Sequence, residues 1–164
     1  MSNLPPAALD RRRPKRRRGN ALVEAAFVLL PLLTILFGIM DFGFAIFLKS
    51  TFQHAVREGV RYAVTYKTMG GGHDAAIKTV VQQHAMGFLA GTSGLDKIKI
   101  RYYNPDTLAE VADNSPGNIV EISVEGFTHS WMAPLFQAKT PITLTARSSD
   151  RMEALPGGTA APAR

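Results

Sequence analysis

The sequence predicts an α+β fold hung on one long N-terminal helix. Three observations predict it. An apolar run from Ala21 to Met40 carries Glu24 as its only charge. Beyond Asp41 the apolar residues change to helical steps of three or four, and between Ile98 and Arg147 three segments alternate apolar and polar residues.

The apolar run comes first because it decides where the chain resides. At about 1.5 Å per residue, Ala21 to Met40 spans roughly 30 Å, the thickness of a bilayer's hydrocarbon core. Twelve of its residues are Leu, Ile, Val or Phe. Together these favour insertion by roughly 5 kcal/mol, against about 3 for one acid even at mid-bilayer. Glu24 lies close to one boundary, and Asp41 falls roughly 31 Å from Asn20, near the opposite headgroups. A cleavable secretory signal would have a shorter apolar core ending in small residues, whereas this run passes into Phe42-Gly43-Phe44.

Charge gives the orientation. Arg11, Arg12, Arg13, Lys15, Arg16, Arg17 and Arg18 stand against Asp10 in residues 1–19, and the whole chain has a net charge of +6, so everything after Gly19 sums to zero. The basicity belongs to a leader and not to a folded surface, which argues against a nucleic-acid partner. Basic residues beside a membrane segment stay cytoplasmic, so these seven determine topology: leader inside, remainder outside. The expected organisation is a basic cytoplasmic leader (1–19), a transmembrane anchor (20–41), an extracytoplasmic α+β domain (42–153) and a flexible tail (154–164).

One helix is expected from about Ala21 to Lys67. Leu48, Phe52, Val56, Gly59, Ala63 and Tyr66 form its buried stripe, and Lys49, Gln53, Arg57 and Arg61 a polar ridge. Pro31 should bend or loosen the membrane part. Gly59 costs a helix about 1 kcal/mol relative to alanine, so it marks close packing; Gly38 and Gly43 offer close approach in lipid. A second helix is expected from Asp74, a candidate N-cap, to Leu89, stopped by Gly91–Gly94. Half-buried strands follow around Ile98–Tyr102, Val120–Val124 and Ile142–Arg147, forming a small antiparallel sheet of about three strands. Residues 104–118 form a polar connection, and 126–141 carry Phe127, Trp131, Met132, Leu135 and Phe136, which should fold back or meet a protein partner.

The residues show no catalytic pattern. Cysteine is absent, and His54, His73, His84 and His129 have no metal-ligand spacing. Ser130 beside His129 lacks the setting of a serine nucleophile, and Gly70–Gly72 lacks the Lys-Ser/Thr of a phosphate loop. The expectation is a non-enzymatic protein with no cofactor, no metal and no small-molecule substrate.

The stretch from Arg18 through Gly19, Asn20 and Glu24 to Pro31, continued by Phe37-Gly38-Ile39-Met40-Asp41-Phe42-Gly43 and by Gln53 to Ala63, resembles the TadE-like family. Its members are minor pseudopilins of the bacterial tight-adherence, or Flp, pilus machinery. Ile142 to Glu153 also resembles the family's final strand. The resemblance implies a bacterial inner-membrane protein, single-pass, with a prepilin peptidase, other pilin-like subunits and pilus assembly proteins as partners. It implies cleavage between Gly19 and Asn20, with Glu24 as residue five of the mature chain and an assembly role for its carboxylate. Asn20 differs from the aromatic or methionine first residue of major type IV pilins. The alternative from the residues alone is an uncut, membrane-anchored binding module that tethers a partner.

Overall fold

The computed structural model describes residues 18–132, 140–155, 157 and 159–164. Helix α1 (Arg18–Val64) is 47 residues long, about 70 Å of continuous helix that runs through Pro31. It is followed by α2 (His73–His84), a short α3 (Gly91–Leu95), and strands β1 (Ile98–Tyr103), β2 (Glu110–Val111), β3 (Ile119–His129) and β4 (Ile142–Arg151). The strands form one antiparallel sheet in the order β2-β1-β3-β4.

The amphipathic half of α1 and the whole of α2 cover one face of this sheet. Leu48, Phe52, Val56, Ala63 and Tyr66 are buried, as the helical spacing requires, and Ala76, Ile77, Val80 and Val81 are buried on α2. The strands meet them with Ile98, Tyr102, Val120, Ile122, Val124, Leu144 and Ala146. Alternation puts Lys99, Arg101, Glu121 and Glu125 on the opposite face, where Arg101 pairs bidentately with Glu125 at 2.7 and 3.2 Å. That guanidinium, with the Ser123 hydroxyl, lowers the Glu125 carboxyl to about 2.

Five details depart from the expectations, three through contacts between residues far apart in sequence and two through local turns. First, α1 stops at Val64 instead of Lys67. Tyr66 takes a left-handed conformation (φ 54) because its ring stacks on His73 and its hydroxyl donates to the Asn114 carbonyl at 3.1 Å. Second, Asp74 is not an N-cap. Gly72 occupies that position without a side-chain bond, and Asp74 instead accepts from the Tyr102 hydroxyl at 2.8 Å and from Arg164.

Third, α2 ends at His84 instead of Leu89, because the chain reverses through Met86 and Gly87. Gln82 then donates to the Leu89 carbonyl at 2.6 Å, and Gly91–Gly94 begins a helical turn where a stop was expected. Gly94 is needed there because a Cβ would overlap the Leu89 carbonyl.

Fourth, the polar connection contributes β2, an edge strand. Asn104 Oδ1 accepts from the amides of Asp106 and Thr107, closing the turn that brings Glu110 and Val111 beside β1. Fifth, the end of the tail is docked, in contrast to the flexible segment expected. The His73 amide donates to the Ala163 carbonyl at 2.8 Å, Asn114 donates to the Pro162 carbonyl at 3.0 Å, and the Arg164 guanidinium lies 4.7 Å over the Tyr102 ring while pairing with Asp74 at 2.9 Å.

The tail contact buries His73 completely, and burial holds its imidazole below the ordinary histidine value; Asp74 partly offsets this and Arg164 adds to it. The folded state therefore binds fewer protons than the unfolded chain across histidine's range. This contribution to stability is present above about pH 6.5 and is lost as pH falls further. Melting of the full-length protein in detergent should occur at lower temperature at pH 5.5 than at pH 7.5, and His73→Gln should flatten that slope. Glu125 and Asp113, also lowered, act in a more acid window, below the ordinary carboxylate range.

Candidate functional site

The first feature is the uncovered half of α1. From Leu22 to Met40 most of its large apolar side chains stand exposed, Phe27 at 77% and Ile39 at 66% among them, with Leu33 and Phe37 half-buried. Among the described residues, α1 is the one helix long and apolar enough to cross a membrane. Thr34 spends its hydroxyl on the Leu30 carbonyl at 2.9 Å, leaving little polarity on this surface. Glu24 is exposed on it.

Gly19 and Asn20 lie in the first turn of α1, where the spacing had placed the helix start at Ala21. Of the basic leader, Arg18 begins the helix; Arg11, Arg12, Arg13, Lys15, Arg16 and Arg17 lie outside the described residues. The first turn of any helix has amides without intrahelical partners, and glycine weakens it by about 1 kcal/mol relative to alanine. The bond between Gly19 and Asn20 therefore sits where a short unwinding costs least.

The helix-packing residues divide into two kinds. Gly59 faces the core: a Cβ there would overlap Val81 Cγ2 and stand 3.3 Å from Ile122 Cδ1. Gly38 and Gly43 have nothing within 4 Å of the corresponding point among the described residues beyond their own stretch of helix. With Thr34, Ile35, Ile39 and Phe42 they form an apolar groove along the exposed helix.

The junction between the apolar and amphipathic halves holds residues to which the spacing gave no such role. Asp41 is fully buried, and both carboxylate oxygens accept from the Met132 amide at 2.9 and 3.1 Å. His129 Nε2 lies 3.5 Å from the same carboxylate, and its ring is 5.1 Å from Phe44. Asp41, expected near the outer headgroups, is a carboxylate drawn under the end of β3. A signal was available: the alternation Phe127, His129 continues β3 beyond Val124, and Asp41 interrupts an otherwise apolar stretch.

β3 reaches this point through a register shift between Val124 and Phe127. The shift lets Phe127 meet Phe52 edge-on at 4.8 Å, so part of the aromatic connection folds onto the helix. Trp131 donates its indole N–H to the Thr140 carbonyl at 3.0 Å, while Leu135 and Phe136 lie outside the described residues. Among the described residues no three His, Cys, Asp or Glu side chains are grouped to hold a metal ion. His54 and His84 face one another at 5.8 Å between ring centres, across α1 and α2.

A model of the family described as TadE-like protein matches residues 19–61. The match begins at Gly19, covers the exposed apolar helix and the first turns of its buried continuation, and stops before α2. The resemblance read from the residues is therefore borne out over the helix that carries it. No curated protein and no solved structure matches the chain.

Proposed function

We propose, from a TadE-like anchor helix as premise, that this chain is a minor pseudopilin that takes part in building or priming a tight-adherence (Flp, type IV-like) pilus. The single observation that carries the reading is the coincidence of the family match with one element. Residues 19–61 are the exposed apolar helix together with the stripe by which it enters the core of a small α+β domain. Such a helix is an anchor while the protein is in the bilayer and a packing surface once several subunits gather.

In this account the work is structural and no residue is catalytic. The leader's cations hold the N-terminus on the cytoplasmic side of a bacterial inner membrane. A prepilin peptidase cuts between Gly19 and Asn20, after the first turn unwinds. Glu24 then stands one helical turn from the new amine, placed to pair with it or with that of a neighbouring subunit. Gly38 and Gly43 offer other pilin-like subunits a close approach along the anchor.

Topology tests the arrangement. Truncations after Ala63 fused to a reporter active only outside the cytoplasm should give full activity, and fusions to a reporter active only inside should be silent. The reverse pattern would contradict the orientation and, with it, the assignment of the domain to the pilus side of the membrane.

A further inference from the structure

We infer that the end of the folded domain beside the apolar helix is itself a lipid-contacting surface, seated in the outer headgroup layer around the anchor. The inference rests on the reading of α1 as a membrane anchor. Three segments remote in sequence converge at this end. The Met132 amide on Asp41 brings the end of β3 to α1. Phe88, in the turn after α2, lies 6.1 Å from Phe44 and 6.3 Å from Phe47.

All three segments lack Asp, Glu, Lys and Arg: residues 42–48, 85–95 and 126–132. Charge is plentiful at the opposite end, on Arg57, Glu58, Arg61 and Lys67. The one acid at the junction, Asp41, is withdrawn beneath Met132. As a result, α1 exposes no charged side chain from Ala25 to Leu48, roughly 36 Å of helix. A hydrocarbon core is about 30 Å thick, and headgroups add several ångströms on each side. The uncharged surface therefore extends beyond the core by about one headgroup layer, which is where the other two segments meet the helix.

Large apolar side chains remain exposed there: Phe42 at 64%, Ile46 at 55%, Met86 at 69% and Met132 at 45%. One such residue is ordinary on a soluble surface. Four on segments that meet at a single helix exit, with Trp131 among them and Lys97 reaching the Gly126 carbonyl at 2.9 Å on their edge, have the composition of a membrane interface, where tryptophan is enriched and lysine can reach the headgroups. Continuity with the anchor selects lipid as the occupant. The domain is then held against the membrane at two places, by the helix it hangs from and by its own lower rim.

The chain supplies its own probes, having a single tryptophan, Trp131, and no cysteine. Full-length protein would be reconstituted in phosphatidylethanolamine/phosphatidylglycerol vesicles containing lipids brominated either near the headgroup or near the chain end. Trp131 emission would be read directly, and an environment-sensitive fluorophore would be attached in Ile35→Cys, Met86→Cys and Met69→Cys. We expect Trp131 and the Met86 label to lose emission to headgroup-proximal bromine. The Ile35 label should lose it to chain-end bromine, and the Met69 label, at the far end of the domain, to neither. Quenching at Ile35 with none at Trp131 and Met86 would overturn the lipid surface and leave the anchor standing. No quenching at Ile35 would remove both. Changes at Trp131 and Met86 that need a high protein-to-lipid ratio and show no bromine dependence would give the face to a second copy and overturn the inference.

Discussion

Gly59→Leu should unfold the domain at markedly lower temperature. At this position α1 and α2 approach so closely, with Ile122 of the sheet behind, that even a Cβ overlaps Val81 Cγ2. Val81 is β-branched and sits in a helix, where such side chains have one strongly preferred rotamer, so it cannot swing aside at low cost. Removing glycine from a helix gains at most about 1 kcal/mol, while forcing a leucine into a packed core costs about 3 or more. A net loss of about 2 to 3 kcal/mol lowers the midpoint of a domain of this size by roughly 10 °C. Melting of the full-length protein in detergent, followed by near-ultraviolet circular dichroism, reads the shift. Gly38→Leu, where an added Cβ meets no other described residue within 4 Å beyond its own stretch of helix, should leave the midpoint unchanged. Equal melting of both variants would contradict the helix packing described above.

The contrast between Gly59 and Gly38 also shows what a sequence can convey. Periodicity exposes any element that buries one regular stripe: Leu48, Phe52 and Val56 on α1, or Ile98 and Tyr102 on β1, are legible because burial repeats along the element. Gly59 falls on such a stripe, so its packing is legible as well. Asp41 is different. Its partner Met132 is 91 residues away, and no local rule links an acid at the end of an apolar run to a backbone amide in another strand's connection.

The same holds for the left-handed Tyr66, which gives up helix for contacts with His73 and Asn114, and for Arg164, whose place over Tyr102 contradicts the Pro, Gly and Ala richness around it. Composition describes what a segment tends to do alone; these residues answer to partners that only the completed fold supplies. Of the proposed site, Gly19, Glu24 and the seven basic residues are visible as a pattern of charge and spacing. The placement of Gly19 in the first turn of α1 is a property of the helix end, the least legible part of any helix.

Gly19→Phe should abolish the mature species. The proposed cut needs the backbone at residue 19 to enter a narrow peptidase site, which glycine permits and a benzyl side chain obstructs. The consequence for assembly is large. A retained leader carries seven cations, each costing about 2.5 to 3.5 kcal/mol to bring to the bilayer centre even on the mildest scale, if the subunit is to leave the membrane for a filament. Cells making Gly19→Phe should therefore accumulate the full-length protein in the membrane and lose surface pili. Glu24→Ala separates processing from assembly: its product should still begin at Asn20, while piliation falls, because the role proposed for the carboxylate follows the cut. Normal cleavage of Gly19→Phe, or failure of Glu24→Ala to be cut, would contradict the division of roles between these residues.

The most direct test of the account is the intact mass and amino-terminal residue of the protein recovered from membranes of cells with an active prepilin peptidase. The account predicts a chain that begins at Asn20 and lacks residues 1–19. Recovery of the full-length chain alone, starting at Met1, would contradict it and leave an uncut, membrane-anchored binding module in its place.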